Sequence, residues 1–518
     1  MKVKRALVSV SDKTGLEKFV KGLARLGVEI LSTGGTAKAI AGIGIPVKEV
    51  ASYTGFPEML DGRVKTLHPK IHAGLLALRE NPDHIRQVKE HNILLIDIVV
   101  VNLYPFEKVA SGKDVSMEEA IENIDIGGPS MLRSAAKNFR SVAVVSSPSQ
   151  YEEVLSELEK NDLTLSEETR RKLAVAVFEK TSRYDGSIAG YLSGRAGSAD
   201  EMPDSLDIKL EKVRKLRYGE NPHQQGALYR DVSAAGGGII DAEQFQGKEL
   251  SFNNIMDLNV AAEMVEGFSA PAVSVIKHNN PCGAALADTL EQAFIDALDC
   301  DRMSAFGSII GFNGPVNEKL AKVILDEADF VECMIAPGYD PATLEIFKSK
   351  KNLRVLKGRF SGKASAGERD FKKVAGGFLV QDRDAKDVSS RDIKVVTNKK
   401  PPEDLMDSLL FGWKVVRFVK SNAILLCQGT KTVGIGAGQM SRVDSVITAI
   451  RKAGDRAKGS VLASDAFFPK RDSIEQASKA GIAAIIQPGG SIKDDEVIAA
   501  CDSLGIPMIF TGMRHFRH

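Results

Sequence analysis

The chain has 518 residues, with 69 lysines and arginines against 68 aspartates and glutamates, so its formal net charge is +1. A balance this close argues against nucleic acid or an anionic membrane surface as a main partner, so any affinity for anions must be local. The length exceeds one ordinary hydrophobic core and predicts two or three domains.

The five cysteines include no CxxC pair, which argues against a disulfide framework and favours a reducing cytoplasm. The first residues turn polar after about one strand's length, and no apolar run reaches the roughly 18 residues that a membrane span needs. We therefore expect neither a signal peptide nor a membrane anchor.

Residues 5–32 predict a βαβ unit. RALVSV has the pattern of a buried strand, DKTGLEKFVKGLARLG that of an amphipathic helix closed by Gly27, and VEILST that of the next strand. Further strands follow in IDIVVVNLYP and SVAVVSS, and residues 150–190 are helical and charged. The pattern predicts an α/β domain with a mainly parallel, doubly wound sheet and a site at its strand ends.

Residues 193–207, SGRAGSADEMPDSLD, have the small, polar composition of a linker, so we expect domains at 1–197 and 198–518. Beyond the linker, apolar strands again end in unusual turns, as in VSVIKHNNP, VGIGAGQ, SVLASDAFFP, AAIIQPGGS and PMIFTGMRHF. This predicts a second α/β domain. Its strand–turn–helix rhythm near 272–300 recurs at 433–510, which suggests two stacked halves, although no sequence identity establishes a repeat.

Three loops of the first domain resemble phosphate-binding loops: SVSDKTG (9–15), LSTGGTA (31–37) and DIGGPS (125–130). Each places small or hydroxyl residues where a strand meets a helix, so backbone N–H groups and the helix dipole can face an anion. One such loop is weak evidence, since glycine and serine also form plain turns. Three in one small sheet favour a phosphate ligand.

Polar side chains surround these loops in GRVKTLHPK (62–70), NLYP (102–105) and RSAAKN (133–138). Solvated lysines and a packed tyrosine would account for any one of them. Asn102 and Tyr104, however, end the most apolar strand, where a polar cluster has little packing purpose. The candidate chemical groups are Arg63, Lys65, Lys137, Tyr104 and Asp125.

Lys277 and His278 directly follow a strand in AVSVIKHNNPCGAA. At a turn both side chains can converge on one cleft, where an imidazole can act as a general base and an ammonium can stabilise an oxyanion. This pairing favours acyl transfer. A histidine that only caps the turn, beside a solvated lysine, is the structural alternative.

Three other patterns are weaker evidence for a bound metal or dinucleotide. His68 and His72 have the spacing of a helical metal face but lack a third ligand. Cys282 in PCG lacks the HxE and PCxxC of zinc deaminases, and GIGAGQ has Gln439 where a dinucleotide loop requires its third glycine. We therefore expect no metal and no NAD.

Read in order, SVSDKTG, STGGTA, GRVKTLHP, NLYPF, DIGGP, LRYGENPHQ, KHNNPCG, SAFGSI, GIGAGQMSR, SDAFFPKRD and RHFRH closely resemble the bifunctional AICAR transformylase/IMP cyclohydrolase family of purine biosynthesis. The resemblance runs from end to end. It implies an N-terminal domain of methylglyoxal-synthase-like fold that closes FAICAR to IMP with loss of water. It also implies a larger domain, built from two cytidine-deaminase-like halves without zinc, that formylates AICAR from 10-formyltetrahydrofolate.

In the N-terminal domain the resemblance implies that Lys137 donates the proton in ring closure, while Lys65, Tyr104, Asn102 and Asp125 orient the reacting groups. The implied nucleotide-binding residues are Ser11, Lys13, Thr14, Thr33, Gly34, Gly35, Thr36, Arg63, Lys65, Thr66, Gly127 and Gly128.

In the larger domain the resemblance implies that His278 is the general base and that Lys277 stabilises the transition state. The implied AICAR contacts are Arg217, Tyr218, Gly307, Glu332, Asn422, Arg442, Phe467 and Arg514, and the implied folate contacts are Val443, Asp472, Ser491 and Ile492. Without the resemblance, Phe467 would read as core, Asp472 as a helix cap and Arg442 as surface.

Two positions depart from the family pattern. Glu332 stands where an aspartate is expected, and Arg517 stands where a second histidine can occur beside His518. The resemblance further implies a homodimer with no tightly bound cofactor, in which 10-formyltetrahydrofolate is a cosubstrate. A non-catalytic nucleotide-binding regulator and a zinc deaminase are the rival interpretations. The first gives no reason for Lys277 beside His278, and the second lacks its ligands.

Overall fold

A computed structural model describes residues 2–104, 106–110, 112, 115–196, 202, 205, 206, 208–232, 236–358, 368–389 and 391–518. Its contacts divide the chain into two compact units, Met1–Asp207 and Ile208–His518. The expected boundary between residues 197 and 198 lies outside the described residues, as does most of the expected linker, and the last helix of the first unit continues to Ala196.

The first unit contains a five-stranded sheet surrounded by helices. Its strands are β1 (Arg5–Val10), β2 (Glu29–Ser32), β3 (Lys48–Glu49), β4 (Ile98–Asn102) and β5 (Ala143–Val145). Its helices are α1 (Leu16–Arg25), α2 (Gly34–Gly42), α3 (Val50–Thr54), α4 (Pro69–Leu76), α5 (Pro82–Glu90), α6 (Phe106–Ala110), α7 (Met117–Glu122), α8 (Gly127–Lys137), α9 (Tyr151–Lys160) and α10 (Glu167–Ala196).

The strand order is β3-β2-β1-β4-β5, and every pairing in this sheet is parallel. β4, with the sequence IVVVN, is buried along its whole length, as a continuous apolar run predicts for a parallel strand covered on both faces. The expectation of a parallel α/β domain is confirmed. The loops after β1, β2 and β4 share one edge of the sheet, because these strands are parallel neighbours.

The second unit is built around a sheet of twelve strands with two small two-stranded sheets. Its strands are β6 (Leu210–Leu216), β7 (Gly226–Asp231), β8 (Glu243–Gln246), β9 (Ala272–Lys277), β10 (Asn280–Leu286), β11 (Ser308–Phe312), β12 (Val331–Ala336), β13 (Arg354–Lys357), β14 (Arg369–Val374), β15 (Gly377–Asp382), β16 (Lys394–Val395), β17 (Ile424–Gln428), β18 (Lys431–Gly436), β19 (Val461–Ser464), β20 (Ala484–Gln487) and β21 (Met508–Phe510).

The helices of the second unit are α11 (Phe252–Glu266), α12 (Leu290–Leu298), α13 (Glu318–Glu327), α14 (Pro341–Phe347), α15 (Met406–Val416), α16 (Arg442–Ala453), α17 (Asp472–Lys479) and α18 (Asp494–Leu504). Among the described residues of both units, no helix has the length and apolar character that crossing a membrane requires.

The twelve-stranded sheet is an internal repeat. Its order is β16-β21-β20-β19-β17-β18-β10-β9-β11-β12-β13-β8, which reads as two six-stranded halves meeting at β18 and β10. In each half an antiparallel hairpin (β9–β10 or β17–β18) is followed by one further antiparallel pairing, two parallel pairings and an antiparallel edge strand. The halves lie side by side in one sheet, so the expectation that they stack was wrong.

Glycines let one helix in each half approach the central hairpins. A Cβ added at Gly283 would lie 1.9 Å from the carbonyl oxygen of Ala297 in α12, and one added at Gly436 would lie 2.0 Å from that of Ser445 in α16. Close helix–strand packing therefore explains Gly436 of GIGAGQ, and likewise Gly434, whose added Cβ would lie 2.3 Å from Ala449 O, whereas Gly438 has a positive φ of 69°.

Candidate functional sites

The loop after β1 is shaped by the side chain of Asn102 at the end of β4. Asn102 Oδ1 accepts hydrogen bonds from Ser11 N at 2.7 Å, Ser11 Oγ at 2.8 Å and Asp12 N at 2.9 Å, while its Nδ2 donates to Asp12 O at 2.9 Å. These bonds occupy both ends of the buried amide. Asn102 therefore holds the loop that carries Ser11, Lys13 and Thr14.

The loop after β2 joins the first loop through hydroxyl groups. Thr36 Oγ1 accepts from Val10 N at 3.1 Å and donates to Val10 O at 3.0 Å, and Thr33 Oγ1 lies 3.3 Å from Ser9 Oγ. Gly34 has a φ of 47°, and a Cβ there would lie 3.0 Å from Lys65 Nζ. The missing side chain lets the Lys65 ammonium reach the first turn of α2.

Both predicted cations of GRVKTLHP have carboxylate partners that the sequence did not single out. Lys65 Nζ lies 2.7 Å from Glu58 Oε1, and the Arg63 guanidinium pairs with Glu122 in α7. Charge pairs this exposed contribute little to stability, so a phosphate can compete with the carboxylates for these cations.

Asp125 and Thr66 meet at the start of α8. Asp125 Oδ1 accepts from Gly128 N at 2.8 Å, and its own N–H donates to the hydroxyl of Tyr184 at 2.7 Å. A Cβ at Gly127 would lie 2.7 Å from Thr66 Oγ1. Burial raises the pKa of Asp125, against backbone N–H bonds that lower it.

Tyr104 and Lys137 lie at different distances along the chain from Asp125 and Thr66 at the start of α8. Tyr104 lies two residues beyond Asn102 and is 56% exposed, so its phenol can meet a ligand. Lys137 ends α8, whereas Asp125 precedes it, so an ideal helical rise places the two ends of this helix about 15 Å apart. Lys137 is exposed there.

In the second unit, β9 and β10 form the hairpin that carries Lys277 and His278. Lys277 pairs with Asn280, and His278 and Asn279 form a two-residue turn with φ values of 55° and 59°. Lys277 Nζ donates to Phe306 O at 2.6 Å, next to the predicted contact Gly307. His278 is exposed at the turn between β9 and β10.

The same edge of the sheet brings Asn422 beside this turn. Asn280 Oδ1 accepts from Lys420 N at 2.9 Å, which ties the hairpin to the segment before β17. The Asn422 side chain donates to Gln439 O at 2.9 Å and accepts from Arg442 Nη2 at 2.8 Å. A hydrogen bond therefore links the hairpin of Lys277 and His278 to the segment that carries Asn422, and Asn422 in turn bonds to Arg442.

Arg442 is a buried anchor of the Asn422 segment rather than the surface residue that its sequence suggests. Only 6% of it is exposed, and its guanidinium bonds to Ser464 Oγ at 2.9 Å and to Asp465 Oδ1 at 2.5 Å. Asp465 also accepts from Ser421 Oγ. Both Asp465 and Ser421 were missed in the sequence, although Asp465 stands in the quoted SDAFFPKRD.

The remaining predicted contacts lie on several loops. Arg217 lies over the ring of Tyr218, 4.7 Å from its centroid, and Glu332 pairs with Arg354 at 2.7 Å. Arg514 lies over the ring of Phe516 at 4.7 Å. Phe467 and the folate candidates Val443, Asp472 and Ser491 are half-buried, and Ile492 and His518 are exposed.

The histidines and cysteines considered for metal have other roles. His68 Nδ1 accepts from Lys70 N at the start of α4, and His72 Nδ1 lies 3.0 Å from Ser134 Oγ. Cys282 is buried in β10, where burial raises the pKa of its thiol to about 12. Within the described parts of the chain, no group of three or more histidine, cysteine or acidic side chains could hold a metal ion.

Both units have the α/β architecture of many nucleotide-handling enzymes: the first brings its glycine- and hydroxyl-rich loops to one edge of a parallel sheet, and the second carries Lys277 and His278 at a hairpin turn. A sequence model of the MGS-like domain matches residues 15–130, and one of the AICARFT/IMPCHase bienzyme matches residues 135–452, more than half of the chain. The chain belongs to the AICARFT/IMPCHase bienzyme family.

A curated relative covers the whole chain. The bifunctional purine biosynthesis protein PurH of Acetivibrio thermocellus is 51% identical over 517 residues, which cover 100% of both chains. The crystal structure of ForH is 36% identical and covers 37% of this chain and 99% of its own, with a TM-score of 0.33. That TM-score is too low to support a structural argument.

Family membership establishes the two activities. The protein transfers a formyl group from its cosubstrate 10-formyltetrahydrofolate to AICAR, and it cyclises the product, FAICAR, to IMP with loss of water. The first unit contains the MGS-like domain.

Proposed function

We propose that the first unit cyclises FAICAR and that the second unit transfers the formyl group, with Lys277 and His278 at the reacting atoms. The observation that carries the proposal is the β9–β10 turn, which carries an exposed histidine next to Lys277 and is hydrogen-bonded through Asn280 to the segment before Asn422. The expected domains 1–197 and 198–518 correspond to these two tasks.

Formyl transfer needs a base and a cation, because the aromatic amine of AICAR is a poor nucleophile. His278 removes the amine proton as nitrogen attacks the formyl carbon, and Lys277 stabilises the oxyanion that develops on the formyl oxygen. The bond from the formyl carbon to N10 of the folate then breaks, and N10 receives a proton. Lys277 Nζ already donates to a carbonyl oxygen, Phe306 O, which supports its role as a hydrogen-bond donor.

The AICAR site extends from this turn over the loops of the second unit. Its proposed contacts are Arg217, Tyr218, Gly307, Glu332, Asn422, Arg442, Phe467 and Arg514, with Val443, Asp472, Ser491 and Ile492 for the folate. Arg442 acts here mainly by holding Asn422, since its guanidinium is buried and bonded.

Ring closure uses the loops of the first unit. The 5′-phosphate binds N–H and hydroxyl groups of residues 11–14 and 33–36 together with Lys65 and Arg63, because helix starts and cations favour an anion there. The carboxamide nitrogen attacks the formyl carbon, the carboxamide and formamide nitrogens each give up one proton, and the formyl oxygen leaves as water, while Lys65, Tyr104 and Asp125 orient the reacting groups. The family resemblance implies Lys137 as the proton donor, and Lys137 stands at the opposite end of α8 from Asp125. Asn102 contributes by holding the Ser11 loop.

We further propose a cytoplasmic homodimer. Large apolar side chains stand exposed near the lysine–histidine turn: Met303 is 88% exposed, Phe306 58% and Met440 95%. Exposed apolar groups of this size are typical of surfaces that another chain or a ligand covers. Five buried free cysteines fit a reducing compartment. Sedimentation of the purified protein tests the dimer, and a monomer at assay concentration contradicts it.

The activity test mixes the protein with AICAR and 10-formyltetrahydrofolate and follows FAICAR and IMP separately. Both should form, with FAICAR preceding IMP. Accumulation of FAICAR without IMP would contradict the function proposed for the first unit, and absence of FAICAR would contradict that proposed for the second.

A further inference from the structure

The turn that presents His278 has an unusual backbone. His278 and Asn279 both have positive φ, which a two-residue turn of this kind requires and which glycine adopts most readily. Neither residue is glycine. Asparagine and histidine enter this region more often than most residues with a Cβ, but two such residues in succession cost more than glycines would, so contacts from outside the hairpin help to hold the turn in place.

A carboxylate from α11 supplies those contacts. Asp257 Oδ1 accepts from Asn279 N at 2.7 Å, and its Oδ2 accepts from His278 N at 3.2 Å. When the Asn279 side-chain amide is oriented with its nitrogen toward α11, that nitrogen lies 3.0 Å from Asp257 Oδ1. Asp257 therefore bonds to both left-handed residues of the turn.

The opposite side of the turn is held by Asn280. Its Nδ2 donates to His278 O at 3.2 Å, while its Oδ1 accepts from Lys420 N. The backbone N–H of His278 donates to Asp257, and its C=O accepts from Asn280. The side chain of His278 is exposed. Burial raises the pKa of Asp257, whereas the N–H groups of Asn279 and His278 lower it.

We propose that Asp257 is a positioning residue for formyl transfer. Its carboxylate fixes residues 278 and 279 in the left-handed conformation of the turn that carries the exposed His278 side chain. The inference rests on the proposed role of His278 as general base. Asp257 itself does not reach the substrates, because only 8% of it is exposed and its oxygens face the turn.

The test measures formyl transfer and FAICAR cyclisation by the full-length variants Asp257→Ala and Asp257→Asn. Asp257→Ala should lower kcat for transfer by about 50-fold and change KM for AICAR by less than about 3-fold, because the base is misplaced while the binding loops remain. Asp257→Asn should lose less, about 10-fold, since its amide oxygen can still accept from Asn279. Cyclisation should be unchanged.

Asp502→Ala is the matched control. Asp502 lies in α18 and not next to the His278–Asn279 turn. Like Asp257, it accepts two hydrogen bonds, here from the backbone and side-chain nitrogens of one loop residue, Asn398, at 2.8 and 3.0 Å. Its loss should leave kcat for transfer unchanged. If Asp257→Ala is folded and as active as Asp502→Ala, the inference is overturned.

A double-mutant cycle separates positioning from general support of the fold. In a His278→Ala background, Asp257→Ala should change the residual transfer rate by less than about 3-fold, because its effect passes through the imidazole. If Asp257→Ala lowers the transfer rate by the same factor with and without His278, the inference is overturned while the proposed function remains intact. Full transfer by His278→Ala alone would instead overturn the proposed function.

Discussion

Glu58 and Lys65 form an ion pair in the loop region proposed to receive a phosphate. The Glu58 carboxylate and the substrate phosphate compete for the Lys65 ammonium. Glu58→Gln should therefore lower KM for FAICAR by about 3-fold at unchanged kcat, because the interaction free energy of an exposed ion pair is of that size. Steady-state kinetics of cyclisation measure this. Glu17→Gln, which breaks the exposed Glu17–Lys21 pair on α1, is the control. An unchanged or higher KM in Glu58→Gln contradicts the competition.

Asp125 should give cyclisation a distinctive pH dependence. Burial raises the pKa of this carboxyl, so it stays protonated to a higher pH than an ordinary aspartate. If the carboxylate orients the carboxamide, kcat falls as the pH drops through that raised pKa. Asp125→Asn should remove this acid limb and lower kcat by about 100-fold. Formyl transfer by the same protein is the control, and an unaltered cyclisation profile would contradict the assignment.

At the residue scale, the sequence predicted groups that stand in short motifs but not their distant partners. The loops 9–15 and 31–37 were recognisable because strand, glycine and hydroxyl residues follow one another. Glu58, Glu122, Asp257 and Asp465 act on residues brought close only by folding. An aspartate within the helical sequence NNIMDLNVAAEMV carried a weak signal, because a buried charge needs partners that the local pattern does not name.

At the element scale, the hairpins and the helices above them position the transfer site. The sequence predicted the strand that ends at Lys277 and a turn after it, but not that β10 begins as early as Asn280 or that the two halves join through β10 and β18. That contact is short: Ala285 pairs with Lys431, and Leu286 N donates to Thr430 O at 2.8 Å. A pairing of two edge strands more than 140 residues apart leaves no local pattern in either strand.

Gly436 provides the element-scale test. An added Cβ would lie 2.0 Å from Ser445 O, so Gly436→Ala should push α16 away and lower the unfolding free energy of the second unit by about 2 kcal/mol. Arg442 begins α16, so transfer should fall as well. Loss of formyl transfer on heating measures the effect on the second unit. Gly377→Ala, with nothing within 4 Å of the added Cβ, is the control, and equal stability of the two variants contradicts the packing argument.

At the scale of the whole molecule, the chemistry of both reactions is expected to need no metal. Zinc deaminases hold the metal with residues of HxE and PCxxC patterns, and neither pattern occurs in this sequence, where Cys282 is followed by Gly283, Ala284 and Ala285. Dialysis against a strong chelator should leave both rates unchanged. Stoichiometric zinc in the purified protein, with activity lost on chelation, would contradict this.

The two activities share one chain but use different groups, so a single substitution should separate them. His278→Ala is the most direct measurement of the central claim, with AICAR binding, formyl transfer and FAICAR cyclisation followed on the same preparation. AICAR binding and cyclisation should persist, while formyl transfer falls by at least about 100-fold because the attacking amine loses its base. Formyl transfer at the rate of the unsubstituted protein would contradict the account.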